Sequence, residues 1–189
     1  MTRRGPRVRG TDGGATAAEP VEIRVAVAAD ASLLASLGAE TFAETYAAEN
    51  TPEDLRAYLA RHFAPEIQAR ELAEPGTRFL LAEVGGESAG FARLRDGPPP
   101  AAHSAAHPVE IVQFYARARW IGRGVGGALM DRCLAVAREG GSDLVWLGVW
   151  ERNARARAFY AKWGFREIGT KTFTVGSDVQ DDLVLARTP

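Results

Sequence analysis

The chain has 189 residues, of which 46% are hydrophobic and 25% are charged, and its formal net charge is −1. This length suits one domain with a sizeable core, and the near-neutral charge argues against nucleic acid or an anionic membrane as a partner. The single cysteine, Cys133, excludes an internal disulfide, favours the reducing cytoplasm and fits the buried face of a helix. No apolar run approaches the roughly 18 residues that a membrane helix requires.

The beginning of the chain is basic and lacks the apolar segment of a secretory signal. We therefore expect residues 1–20 to be a disordered extension, or an overlong start, and residues 21–189 to form the domain. An alternating pattern predicts a strand through Val27, and Asp30 is placed to cap a helix over residues 31–48.

A second helix and a hairpin follow. Thr51 and Pro52 are typical of the cap and first turn of a helix. The sequences RFLLAEV and SAGFARLRDG predict two strands joined around GGE. The Pro/Ala-rich segment after them is expected to be a loop, in which His103 and His107 are solvated rather than metal ligands, since no Cys or third ligand is near.

The second half of the chain alternates strands and helices. The sequence VEIVQFYA predicts a strand, and the glycine-rich segment IGRGVGGALM opens a helix that runs to about Arg138. DLVWLGVW is apolar on both faces, which is typical of a buried central strand. Asn153 caps the next helix. Strands near residues 166–175 and 183–186 complete an α/β fold.

The glycine segment admits more than one interpretation. The spacing Gly-x-Gly-x-x-Gly from Gly122 satisfies the dinucleotide fingerprint, with Glu151 as a later acid, but RARW separates the glycines from their strand. Ala128 and Leu129 exclude a P-loop. The backbone N–H groups of residues 122–127, at the positive end of a helix, would form an anion nest that faces a pyrophosphate. A glycine-rich helix start without any ligand is the remaining alternative.

Two motifs together resemble the GNAT superfamily of acetyl-CoA-dependent N-acetyltransferases. The first is a strand followed by [Gln/Arg]-x-x-Gly-x-[Gly/Ala] at a helix start, which Gly124 and Gly126 match while Ile121 departs from its first position. The second is a strand followed by an asparagine and, seven residues later, a tyrosine, matched by Asn153 and Tyr160. The resemblance covers roughly residues 21–187.

This resemblance implies a single-domain α/β fold with a mixed, mostly antiparallel sheet, splayed between its fourth and fifth strands and flanked by helices. Acetyl-CoA would lie in that opening as the cosubstrate and pass its acetyl group directly to an amine in a ternary complex, without a metal. The expected coenzyme contacts are Phe114, Tyr115, Ala116, Ile121, Gly122, Arg123, Gly124, Val125, Gly126, Gly127, Asn153 and Tyr160. A homodimer is possible, and a non-catalytic CoA-binding module is the competing class.

The resemblance and the residues together suggest a catalytic acid and a base. Tyr160 is the expected acid for the departing thiolate. An amine with a pKa near 10.4 must lose a proton before it attacks, and Glu110, on the strand before the glycine segment, is the candidate base. A glutamate that pairs with a neighbouring residue would explain Glu110 equally well.

The acceptor is the least determined part of the prediction. The sequences TFAETYAAENTPEDLRAYL, WLGVWERNARARAFYAKWGF and TFTVGSDVQDDLVL resemble bacterial spermidine/spermine acetyltransferases, although Ser177 and Asp181 depart from the tail of that group. A polyamine is therefore the expected substrate, with an aminoglycoside or a peptide or protein amine as alternatives. Acidic residues that could form a rim around the substrate site would attract a polycation, although solvated helix faces give the same pattern. These acids are Glu40, Glu44, Glu49, Asp54, Glu151, Asp178 and Asp182.

Overall fold

A computed structural model describes residues 19–48, 50–100, 103–175 and 178–189. The extension predicted at the start of the chain lies almost wholly outside these ranges. The described elements, in chain order, are β1 (Val21–Val25), α1 (Ala31–Tyr46), α2 (Pro52–His62), α3 (Pro65–Ala73), β2 (Thr77–Val84), β3 (Glu87–Asp96), β4 (Pro108–Ala116), α4 (Val125–Glu139), β5 (Leu144–Trp150), α5 (Ala154–Lys162), β6 (Arg166–Val175) and β7 (Asp178–Arg187).

The strands form one open sheet in the order β1-β2-β3-β4-β5-β7-β6. Each neighbouring pair is antiparallel except β4 and β5, which are parallel and pair only over Pro108–Glu110. Beyond these residues a β-bulge lies in β4, because Leu94 pairs with Ile111 while Arg93 pairs with Gln113. A bulge bends the strand that carries it, so β4 separates from β5. The predicted splay between the fourth and fifth strands is confirmed.

Helices cover both faces of the sheet. On one face α4 packs against the strands through residues such as Leu129, Met130 and Cys133, all fully buried. On the other face α1 contributes Leu34, Leu37 and Phe42 to a second core. The predicted packing role of Cys133 is confirmed, and burial raises the pKa of its thiol to about 12. The structure is therefore the single α/β domain that the sequence predicts.

Of the three helix caps predicted from the sequence, two are present and one is not. The Thr51 hydroxyl accepts the N–H of Asp54 at 3.1 Å, and the Asn153 side chain accepts the N–H of Ala156 at 3.0 Å. Asp30 precedes α1 but makes no capping bond with its side chain, so that part of the prediction is wrong. Its carboxylate instead binds the guanidinium of Arg24 at 2.7 and 2.9 Å.

Two elements differ from the sequence prediction. The helix α3 was not expected, and β7 begins at Asp178 rather than near Leu183. The polar start of β7 forms a strand because it pairs with β6, and from Asp182 onward it also pairs with β5. Across the described ranges, each helix is too short or too polar to cross a bilayer.

Candidate active site

A cavity of about 390 Å³ opens where β4 and β5 separate. Its wall is formed by both strands, the segment that precedes α4, the start of α5 and the end of α1. The lining residues are Thr45, Tyr46, Ile111, Val112, Gln113, Phe114, Tyr115, Ala116, Trp120, Ile121, Gly122, Gly124, Gly126, Gly127, Gly148, Val149, Asn153, Arg155, Ala156, Phe159 and Tyr160.

The glycine segment forms one end of this cavity. Gly122 and Gly124 have positive φ angles of 78° and 91°, which L-residues with a side chain rarely adopt. Gly124 is the N-cap of α4, so the first N–H groups of the helix, beginning at Val125, have no partner within the helix. Space is open around the position that a Cβ on either glycine would occupy, and a ligand can approach the backbone there.

The edge of β4 forms the long wall. The strand pairs with β3 from Val109 to Ala116, except at the bulged Val112, but with β5 only as far as Glu110. The backbone amides of residues 111–116 that point toward β5 therefore face the cavity. Phe114 directs its ring toward α5, 6.1 Å from the ring of Tyr160, whereas the ring of Tyr115 lies 6.4 Å from that of Phe42 on α1.

Tyr160 lies on α5 at the boundary between the core and the cavity. It is 7% exposed and its ring contacts Phe114, Phe159 and Phe165. Burial raises its pKa above the usual value, and the nearby Tyr46 and Cys133 add to the shift. The phenol is therefore protonated at neutral pH, as a proton donor must be.

The structure brings most of the predicted coenzyme contacts to one cavity. Phe114, Tyr115, Ala116, Ile121, Gly122, Gly124, Gly126, Gly127, Asn153 and Tyr160 line it. Arg123 and Val125 do not. The guanidinium of Arg123 lies 5.7 Å from the ring centre of Trp120, and Val125, the first residue of α4, is fully buried in the core.

Glu110 lies at the point where the strands separate, opposite Trp146 in the last parallel pair. It is 7% exposed, and its carboxylate is 2.6 Å from the guanidinium of Arg95 and 3.5 Å from the ammonium of Lys171. The carboxylate is not in the cavity lining. This is the paired arrangement that the sequence analysis left open, and a role for Glu110 as the base stays a prediction.

A second buried carboxylate lies near the Lys171 ammonium. Asp182 of β7 is 8% exposed, and its Oδ2 is 3.1 Å from the position that a Cβ on Gly148 would occupy, beside the cavity wall. Burial raises the pKa of Asp182; the positive charge of Lys171 opposes this shift, and Asp181 adds to it. Burial raises the pKa of Tyr46 to about 12, and the charge of Asp182 adds to this shift.

Several acids of the predicted rim serve other parts of the fold. Glu40 pairs with Arg117 at 3.0 Å, and Glu44 accepts the N–H of Ala118 at 2.9 Å. These two contacts hold α1 against the segment that follows β4. Asp54 is engaged by the Thr51 cap, and Glu151 is exposed, with its carboxylate 3.8 Å from Arg152. Glu49 and the side chain of Asp178 lie outside the described residues.

Some of the lining residues were not predicted from the sequence. Arg155 lines the cavity and lies in the first turn of α5, two residues after the Asn153 cap. A cation at this position, next to a predicted anion site, could have indicated a phosphate contact. Thr45, Trp120 and Phe159 carry no local signal for a cavity, because residues distant in the chain complete it.

The comparisons with known proteins agree with this geometry. Residues 39–165 match the profile described as "Acetyltransferase (GNAT) family". An uncharacterized N-acetyltransferase of Mycobacterium tuberculosis is 34% identical over 84% of this chain and 97% of its own length.

Two solved structures share the fold. The PaiA N-acetyltransferase of Thermoplasma acidophilum, in complex with coenzyme A, has a TM-score of 0.72 at 19% identity, over 90% of this chain and 99% of that one. A ribosomal-protein-alanine N-acetyltransferase of Brucella melitensis has a TM-score of 0.64 at 27% identity, over 89% and 99%.

Proposed function

Since the chain belongs to the GNAT acetyltransferase family, we propose that it transfers the acetyl group of acetyl-CoA directly to a primary amine of a small molecule. The chain is an acetyl-CoA-dependent N-acetyltransferase. The roles of its individual residues and the identity of its acceptor are what we propose. The observation that carries it is the cavity, which runs from the start of α4 along the open edge of β4 to the last β4–β5 pair. We place the reaction in the cytoplasm, and a homodimer stays a prediction.

The cavity suits an extended coenzyme with an anionic end. The pyrophosphate would lie against the N–H groups of residues 122–127, at the positive end of the α4 dipole. The guanidinium of Arg155 would face the phosphates from α5. The pantetheine arm would pair with the free backbone of Phe114, Tyr115 and Ala116, as an added strand does. The thioester would then reach the inner end of the cavity, beside Ile111 and Gly148.

The chemistry requires a neutral amine and a proton for the leaving group. At pH 7 an amine with a pKa near 10.4 is neutral in about one molecule in a few thousand, a cost of roughly 4.6 kcal/mol. A carboxylate that removes this proton, directly or through water, therefore speeds attack. Our candidates are Glu110 and Asp182, which both interact with the Lys171 ammonium outside the lining, near Gly148 of the cavity wall. Tyr160 would protonate the departing thiolate, because its pKa lies above the value of about 8.5 for a thiol.

A polyamine such as spermidine or spermine is our first choice of acceptor. The support comes from the resemblance of the first helices and the tail, and from a group that binds an ammonium just outside the cavity lining. There Glu110 and the ring of Trp146 hold the ammonium of Lys171, at 3.5 and 5.3 Å. The wider acidic rim supports a polycation less, because Glu40, Glu44 and Asp54 bind other parts of the chain.

A peptide or protein amine is the second candidate. It is favoured by the likeness to the Brucella melitensis enzyme, whose name assigns it a ribosomal-protein alanine. Side chains that differ between such proteins determine the acceptor, so the shared fold does not decide between the two.

Release of free CoA thiol from acetyl-CoA tests the acceptor directly. Purified protein is offered polyamines, aminoglycosides, amino acids and peptides at equal concentration. We expect the fastest release with spermidine or spermine, and a rising KM as salt screens the contacts. Turnover of a peptide, with spermidine inert, would remove the polyamine proposal and leave acetyl transfer in place.

A further inference from the structure

The side chain of Lys171 reaches across the sheet to Gly148, a residue of the cavity wall. Lys171 lies on β6, opposite Asp182 of β7, which in turn pairs with Trp150 of β5. Its side chain crosses β7 and lies over β5 at Gly148, where a Cβ would stand only 2.7 Å from Nζ. A glycine at this position therefore leaves the room through which the ammonium passes.

The Lys171 ammonium ends where β4 and β5 separate. It is 3.5 Å from the carboxylate of Glu110, the last β4 residue paired with β5, and 5.3 Å from the ring centre of Trp146. Gly148, over which it lies, belongs to the cavity wall. Lys171 itself is not one of the lining residues. If acetyl-CoA occupies the cavity as proposed above, its thioester ends beside Gly148, the residue over which this nitrogen lies.

The choice of lysine at this position is unusual for this chain. Lys162 and Lys171 are its only lysines, and the other 21 of its 23 cationic residues are arginines. An arginine would bind Glu110 at least as well, because its planar guanidinium presents five donors. A lysine differs in that its nitrogen can lose a proton and act as a nucleophile.

We propose that Lys171 is itself an acceptor, so that the protein acetylates Nζ of this residue with the acetyl-CoA in its own cavity. This inference rests on the proposed function. The ammonium gives one proton to Glu110 or Asp182, which passes it to solvent. The neutral Nζ attacks the acetyl carbonyl, an N–C bond forms and the C–S bond breaks. The electron pair of the C–S bond leaves with sulfur, and the thiolate takes the second proton lost by nitrogen, through Tyr160.

Lys162 provides an internal control. It ends α5, is exposed, and is available to any non-enzymatic reaction with acetyl-CoA. Chemical acetylation in solution would therefore favour Lys162, whereas transfer within the cavity selects Lys171. Because the reaction is intramolecular, its first-order rate is expected to be independent of protein concentration.

The test uses the full-length protein and isotope-labelled acetyl-CoA, with no added amine, and peptide mass spectrometry at both lysines. We expect label on Lys171 several times faster than on Lys162, unchanged labelling of Lys171 in Lys162→Arg, and slower labelling in Gly124→Asp. Lys171→Arg, which keeps the positive charge, is expected to carry no label at position 171 while its unfolding temperature stays close to that of the wild type. The purified wild type is also examined for an unlabelled acetyl group on Lys171. If this group is present there and absent from Gly124→Asp purified in the same way, the inference is supported equally.

Acetyl-CoA binding and thiol release with spermidine are measured on the same samples. If acetyl-CoA binds but Lys171 stays unlabelled, or if both lysines are labelled equally, the inference is overturned and the proposed function stands. If acetyl-CoA does not bind, both are overturned.

Discussion

Gly126 of α4 faces Phe159 of α5 at the mouth of the cavity, where a Cβ on the glycine would lie 3.4 Å from Cε2 of the ring. That distance is an ordinary van der Waals contact, so an alanine fits. Gly124, two residues earlier, has a φ of 91°, which an alanine does not readily adopt.

We therefore expect the two alanine substitutions to have opposite effects on stability. Gly126→Ala should raise the free energy of unfolding by roughly 0.5–1 kcal/mol, because it removes a helical glycine. Gly124→Ala should lower it by about 1–2 kcal/mol, the usual cost of the left-handed region. Denaturant unfolding of both variants measures the difference. Equal shifts of the same sign would show that Gly124 does not adopt the left-handed conformation.

An aspartate at position 124 should weaken coenzyme binding. Its charge would stand beside the pyrophosphate and offset the positive end of α4. Gly141, just past the other end of α4, is the matched control, since its φ is 72° and the space around it is also open. Both variants lose stability, but only Gly124→Asp should lose affinity for acetyl-CoA, by about tenfold or more, which is ~1.4 kcal/mol. Equal affinities in the two folded variants would place the phosphates elsewhere.

Tyr160→Phe distinguishes the role of the hydroxyl as an acid from the role of the ring in binding. The ring and its contacts with Phe114 and Phe165 are retained. We expect turnover to fall by roughly 10²-fold, in the range of general acid catalysis, while the Kd for acetyl-CoA changes little. Steady-state kinetics and a coenzyme titration measure the two quantities. Unchanged turnover would mean that another group protonates the thiolate.

Asp182 and Asp30 should contribute to stability with opposite dependence on pH. Burial raises the pKa of Asp182, so the ionised carboxylate costs stability, and that cost grows as pH rises through its folded pKa. The hydrogen bonds from Arg24 lower the pKa of Asp30, so its contribution is present above its unfolded pKa and is lost as pH falls through the folded value. Asp182→Asn should gain stability relative to wild type at neutral pH, and Asp30→Asn should lose it. Both differences should shrink near pH 3, and denaturant titrations at several pH values measure them. Destabilisation by Asp182→Asn at neutral pH would contradict the assignment.

The elements that sequence predicts well are those set by neighbouring residues. The caps at Thr51 and Asn153 each depend on a residue three positions further along the chain, and both are present. The helix α3 was missed because it has no capping side chain and its fully buried residue is the polar Gln68, which weakens the apolar pattern.

The part of the site that was predicted from the sequence also depends on neighbouring residues. The glycine segment is continuous in the chain, so its motif is visible in the sequence. The partners of Glu110 are not, because Lys171 lies 61 residues away and reaches it only after β6, β7 and β5 have assembled. The sequence left two readings of Glu110 open, and only the tertiary structure shows the ion pairs.

Thermal unfolding with acetyl-CoA and, separately, with NAD tests most directly that the cavity is built for acetyl-CoA. A ligand at 100 times its Kd stabilises the folded state by about 2.7 kcal/mol. We predict this stabilisation with acetyl-CoA and none with NAD, and we predict a smaller shift with acetyl-CoA in Gly124→Asp than in Gly141→Asp. Stabilisation by NAD, with no shift from acetyl-CoA, would contradict the account.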